Sequence, residues 1–154
     1  MPADVDTPKY AIPPPLPPLV ALALIVILNL LMPVPFLPQT VSFAVGTPLL
    51  VLGVGFWIWG ISGLLRRGES PDPRKPTTQL VTGGPFRFSR NPIYTGGAVG
   101  LLGLALLLNT ATGAAVVVAL ALVAHNLTLA EERYLEAKFG DQWRVYRSRV
   151  RRWI

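Results

Sequence analysis

The sequence predicts an all-α integral membrane protein, with four transmembrane helices and a cytoplasmic C-terminal helix lying at the membrane interface. Three observations lead there. Only 14% of the 154 residues are charged and the mean hydropathy is +0.48, against roughly 25% charged residues in ordinary soluble domains. No Asp, Glu, Lys or Arg occurs between Ala11 and Leu65, or between Asn91 and Ala130. A soluble chain this small could not solvate such runs, whereas about 20 apolar residues make one spanning helix. Each run is also interrupted by a cluster of turn formers, so each reads as a helical hairpin.

Residues 1–15 form a proline-rich lead-in, "MPADVDTPKYAIPPP". Its acidic residues, and the lack of a clean small-residue cleavage site after the next apolar run, argue against a signal peptide. Residues 16–154 read as one domain. The first helix is expected over Leu16–Met32 and stops at "MPVPFLPQT", where Pro33, Pro35 and Pro38 cannot continue it. The second is expected over Val41–Leu65, with Pro48 as a potential kink. The third, Pro92–Leu108, starts from a proline at its first position, with Ser89 or Asn91 as cap. Its Gly96 and Gly100 form a small-xxx-small pair suited to close helix packing. "NTATG", residues 109–113, ends it, and the fourth span covers Thr112–Ala130. No breaker follows until Gly140, so the fourth helix should run on out of the bilayer and be capped there. In "GDQWRVYRSRVRRWI", Asp141 is a candidate cap. Trp143, Tyr146, Val150 and Trp153 recur at helical spacing among arginines, the pattern of an interfacial helix anchored on lipid.

Apart from Lys9, every cation lies in the loop Arg66–Arg90 or after Ala130, and the two short turns have none. The positive-inside rule then puts that loop and both termini in the cytoplasm, as in a bacterial inner-membrane protein. The net charge of +6 reads as topology and contact with membrane lipids, not as a nucleic-acid footprint. With no cysteine and one histidine, neither thiolate chemistry nor a metal site is expected.

The polar residues that could carry chemistry gather on that cytoplasmic side. Glu131 and Glu132 sit where the fourth helix leaves the bilayer, either as a solvated surface or as ligands. His125, seven residues earlier, shares a face with Glu132 and lies where an ionisable group is costly. Asn91 is as consistent with capping as with ligand contact. Arg87 and Arg90 could snorkel to head groups, and Gly83–Gly84 allow close backbone approach.

"GPFRFSRNPIY", followed some forty residues later by "EERYLEAKFGDQWRVYRSRVRRW", resembles the isoprenylcysteine carboxyl methyltransferase family and its phospholipid methyltransferase relatives. The resemblance covers residues 77–154, which would be the cofactor-binding half. It implies methyl transfer from S-adenosylmethionine to a lipophilic small-molecule or lipid-linked acceptor at the cytoplasmic face. It further implies that Gly84, Pro85, Arg90, Asn91, Pro92, Tyr94, Glu131 and Glu132 line the cofactor pocket, with the Leu80–Gly83 backbone as another wall. Asn91 stands where the family pattern most often has His. It can hydrogen-bond but cannot take up a proton at neutral pH. The acceptor then needs no base, as with a carboxylate or thiolate, or another group such as His125 acts. Asn91 and Arg133 are the residues expected beside the acceptor, Arg133 to orient an anionic one. Two rivals remain. An NADPH-dependent membrane reductase would need more cationic contacts and a longer chain. A transporter or scaffold would ordinarily need an acidic residue within the bilayer, and neither apolar run has one.

Overall fold

The computed structural model describes residue 13 and residues 15–154. Apart from Pro13 and Pro15, the proline-rich lead-in falls outside the described residues. The regular elements among them are all helical: α1 Leu16–Leu31, α2 Gln39–Leu65, a 3-10 turn Gly84–Arg87, α3 Pro92–Leu107, α4 Ala111–Phe139 and α5 Asp141–Arg149. The four apolar helices begin and end within about two residues of the sequence expectation, and α4 does continue to Gly140. Two of them, α2 and α4, are long and apolar enough to cross a membrane; α1 and α3 are shorter apolar helices of 16 residues each. At 1.5 Å per residue those two reach about 24 Å, short of a hydrocarbon core of about 30 Å.

The outward surface explains the composition. Val51 and Leu52 on α2 are 65% and 66% exposed, and Val118 and Leu122 on α4 are 64% and 65% exposed. Contiguous apolar surface of this kind is a liability in water and is matched by lipid.

Helix α3 is central, packed between α2 and α4, while α1 lies on α4. Glycine makes the α2–α3 contact possible. A Cβ at Gly53 would fall 2.2 Å from Gly100 N, one at Gly103 2.2 Å from Leu50 N, and one at Gly96 2.5 Å from Trp57 N. The two backbones therefore touch, as small residues permit when no hydrophobic effect drives helices together. The sequence showed only α3's half of this seam; Gly46, Gly53 and Gly60 of α2, seven residues apart, are buried in it as well. Helix α2 passes through Pro48 unbroken. On the α4 side, Ile25, Ala105 and Val117 form the core.

At one end the two turns are tied together. Asn109, at φ 51°, accepts from the backbone N–H of Phe36 (3.2 Å) and Leu37 (3.1 Å) and donates to Leu37 O (2.8 Å). Thr110 caps α4 by accepting from Gly113 N at 3.3 Å.

The opposite end differs from expectation in two respects. Gly140 (φ 51°) both ends α4 and precedes α5, so Asp141 is the first residue of α5 and not its cap. The aromatic face of α5 is also spent on protein. Trp143 is 1% exposed and packs with Tyr146, Val81 and Phe86, and the Tyr146 hydroxyl donates to Phe86 O at 2.7 Å. The helix stops at Arg149, so Val150 and Trp153 do not extend its face. The loop before α3 offers α5 an apolar partner, which the helical spacing alone could not reveal.

Candidate functional site

The loop between α2 and α3 is held by a residue the sequence did not single out. Glu69, 4% exposed, accepts from Thr78 N (3.1 Å to each carboxylate oxygen), from Gln79 N (3.0 Å) and from the Thr78 hydroxyl. These donors let a carboxylate be buried beside the end of α2. They fix residues 78 and 79, from which the chain runs through Val81 into the 3-10 turn. Gly84 starts that turn at φ 65°, a conformation only glycine adopts without strain.

After the turn, Ser89–Asn91 leads into α3 and meets α4. Glu132 projects from α4 with its side chain 7% exposed and is flanked by two guanidinium groups. Arg90 Nη2 lies 3.1 Å from Glu132 Oε1. Arg152, from the chain's end, forks onto the same carboxylate, Nε to Oε1 at 2.9 Å and Nη2 to Oε2 at 2.8 Å. The Arg90 side chain is likewise 7% exposed, and its guanidinium lies 5.6 Å from the centre of the Trp143 ring. Burial holds Arg90 below the usual arginine range while Glu132 pulls the other way; the hydrogen bond to Glu132 raises Arg152. Burial likewise pushes the Tyr146 phenol up.

This cluster is incompletely satisfied. Among the described residues, the buried side-chain polar atoms without a partner are Arg90 Nε and Nη1, Trp143 Nε1 and Thr128 Oγ1. The first three belong to the stacked Arg90–Trp143 pair. Thr128 lies on α4 one turn before Glu132. Buried polar atoms are nearly always paired, so this concentration marks a place where a ligand's acceptors would be welcome.

The expected site residues divide into groups. Arg90, Asn91, Pro92 and Glu132 come together, all with buried side chains. Asn91 precedes α3 but makes no side-chain cap; its Nδ2 donates to Arg152 O at 3.3 Å. Tyr94 and Glu131, both half-buried, lie within electrostatic reach of one another beside this cluster. Gly84 and Pro85 instead line a cleft of ≈ 390 Å3 with Trp59, Ser62, Gly63, Arg66 and Arg67. That cleft has cations but no carboxylate, so the chemistry is better placed at Glu132. Arg133 is exposed, whereas Glu132 beside it on α4 is buried. Arg87 is exposed and Arg90 buried, which separates two arginines that looked alike in sequence. Sequence reasoning missed Arg152, Glu69 and Trp143, and took Ser89 only as a candidate cap; its hydroxyl accepts from Asn91 N at 3.0 Å and donates to Arg152 O at 3.1 Å. Only Trp143 carried a signal, its place on the aromatic face of α5.

Fold and site together define a helical membrane protein with a buried carboxylate–guanidinium centre at one end of its bundle. The chain belongs to the phospholipid methyltransferase family, which matches residues 41–142, more than half of it. This is the membrane methyltransferase class to which the RNPIY and EE segments pointed. A 24-residue stretch is 62% identical to an uncharacterized protein of Haemophilus influenzae; it covers 16% of this chain and 38% of that protein. No solved structure matches the chain.

Proposed function

We propose that the protein transfers a methyl group from S-adenosylmethionine to a lipophilic acceptor, a carboxylate, thiol or amine, at the cytoplasmic face of the membrane. All four apolar helices would span, with both termini in the cytoplasm. The observation that carries the reading is the buried Arg90–Glu132 pair, which sits on the family's motif positions and retains two unpartnered guanidinium nitrogens.

These residues fit the donor. Its methionyl carboxylate suits the spare Arg90 donors, a charge-assisted contact worth roughly 1.5–3 kcal/mol. Its amino or ribose hydroxyl groups suit the glutamates. The bound donor supplies an electrophilic methyl group on a sulfonium, and in-line displacement makes positioning the main demand on the protein. Arg90 and Glu132 would hold the donor, while the α3–α4 walls exclude water. Asn91 can orient a group by hydrogen bonding but cannot accept a proton, so a carboxylate acceptor would need no base here, and a thiol or amine would give up its proton to solvent or to another group such as His125. The donor would supply its methyl group to the acceptor's lone pair, its sulfonium leaving as the neutral thioether, and a thiol or amine acceptor would also release a proton.

Calorimetry of S-adenosylhomocysteine with the detergent-purified protein tests this. Micromolar binding, lost in Arg90→Ala and Glu132→Gln, is the expected result. Folded wild-type protein that binds NADPH and not S-adenosylhomocysteine would overturn the reading in favour of a reductase.

A further inference from the structure

The second guanidinium on Glu132 comes from beyond the matched family region. Residues 41–142 carry the family match, yet Arg152 supplies both guanidinium hydrogen bonds to Glu132, which Arg90 Nη2 meets as an ion pair at 3.1 Å. The segment that carries Arg152 is not loosely attached. Arg90 N donates to Arg151 O at 2.9 Å, the Ser89 hydroxyl to Arg152 O at 3.1 Å, and Asn91 Nδ2 to the same carbonyl at 3.3 Å. Every one of these donors belongs to the Ser89–Asn91 turn, the turn that delivers Arg90. The Trp153 ring meanwhile lies 6.3 Å from that of His125 on α4. The end of the chain thus bridges the two elements that build the pocket.

A solvated surface pair would be the ordinary explanation of an arginine this close to the end of the chain. The other arginines of the tail illustrate it. Arg144 and Arg147 reach Glu136 at 3.4 and 3.3 Å, with every partner at least 37% exposed, and contacts of that kind contribute little. Arg152 differs because its partner is buried and its contact is two-pronged. That geometry fixes the plane of the carboxylate as well as neutralising it. A carboxylate offers about four acceptor positions. Each oxygen takes one N–H of Arg152, with Arg90 Nη2 close against Oε1 at 3.1 Å, and one position on Oε2 is left. Arg90, on its side, keeps Nε and Nη1.

We propose that Arg152 is a positioning residue of the methyl-donor pocket. By fixing the plane of the Glu132 carboxylate, it sets the remaining Oε2 position and the spare donors of Arg90 for a single ligand. The proposal rests on the donor reading above. Lysine cannot reproduce the fork, so charge and orientation are separable.

The test uses the full chain in detergent, with S-adenosylhomocysteine titrated into wild type, Arg152→Ala, Arg152→Lys and, as a control on an exposed tail cation, Arg149→Ala. Arg152→Ala is expected to weaken binding at least tenfold, Arg152→Lys to recover only part of it, and Arg149→Ala to match wild type. Millimolar ethylguanidinium should restore binding to Arg152→Ala, a rescue that general destabilisation would not show. Arg152→Ala within twofold of wild type overturns the proposal. So does Arg152→Lys at wild-type affinity, which would leave charge alone as the cause. If the alanine variant fails to fold, the lysine variant decides. Wild-type protein that binds no S-adenosylhomocysteine overturns the donor reading and this one with it, so the two failures appear in different samples.

Discussion

One added methyl group tests the helix seam that carries the site. A Cβ at Gly53 would lie 2.2 Å from Gly100 N, 2.5 Å from Gly100 Cα and 2.8 Å from Gly96 O, all backbone atoms. Nonbonded carbons rest about 3.5–4.0 Å apart. No rotamer change relieves backbone, so α2 and α3 must separate or bend. A Cβ at Gly100, in the same seam, meets its nearest atom, Val54 N, at 3.5 Å, an ordinary contact. Both substitutions gain helix propensity of about 1 kcal/mol, so it cancels between them. Overpacking at Gly53 costs about 1–3 kcal/mol, and its backbone neighbours put it at the upper end. Gly53→Ala should therefore be about 3 kcal/mol less stable than Gly100→Ala, a gap of roughly 6–12 °C in melting temperature for a chain of this length. Thermal melts in one detergent at one scan rate measure it. Melting temperatures within about 2 °C of each other would refute the α2–α3 register. Because α3 begins at Pro92, that result would also unsettle the placement of Arg90 and Asn91.

Further outcomes follow from the polar contacts. Tyr146→Phe removes the 2.7 Å bond to Phe86 O and should cost about 1–2 kcal/mol at neutral pH. Because burial raises the Tyr146 phenol, its contribution is complete below the unfolded value of about 10 and is lost as pH rises past it. The melting gap between Tyr146→Phe and wild type should therefore narrow above pH 10; a gap that widens there refutes the burial. Glu69→Gln leaves one side-chain acceptor oxygen where two receive the Thr78 and Gln79 donors. It should loosen residues 66–90, read as faster limited tryptic cleavage after the exposed Arg74, and an unchanged cleavage rate would deny Glu69 its anchoring part. Asn91→His should retain S-adenosylhomocysteine binding, and its complete loss would count against carrying the family's turn onto these positions.

The fold was legible where a local signal existed. Charge-free runs located the apolar helices, prolines and "NTATG" located the turns, and Gly140 located the end of α4. Positions defined by partners distant in sequence were not. Nothing around Gly53 shows that it faces Gly100. Trp143 and Tyr146 have the spacing of an interfacial helix, and only the loop folded beneath them turns that face toward protein. The site follows the same division. Arg90, Asn91 and Glu132 could be named because a spaced pattern held them together, whereas Arg152 is one of seven cations after Ala130 with no local feature to separate it. Glu69 is an ordinary loop acid until its donors arrive from residues nine and ten positions later.

The burial of Arg90 and Glu132 is what topology cannot explain. Cations that only orient a membrane protein work from the surface, and Arg66, Arg67, Arg87 and Arg151 are exposed as that role requires. Burying a carboxylate with guanidinium partners is a poor route to stability, since apolar residues of similar size often do as well or better. The cost is greater here because Arg90 keeps two guanidinium nitrogens without acceptors, and a partly satisfied buried network is worse than an apolar one. Polar residues also fill the line that leads toward the cluster from within the bilayer, with His125 and Thr128 preceding Glu132 on α4. An arrangement that costs stability and leaves donors unused is better explained by a ligand than by the fold. A charged, carboxylate-bearing donor held at the end of an apolar bundle, as proposed above, would meet both demands: it would supply the missing acceptors and present its reactive group to a lipid-embedded nucleophile.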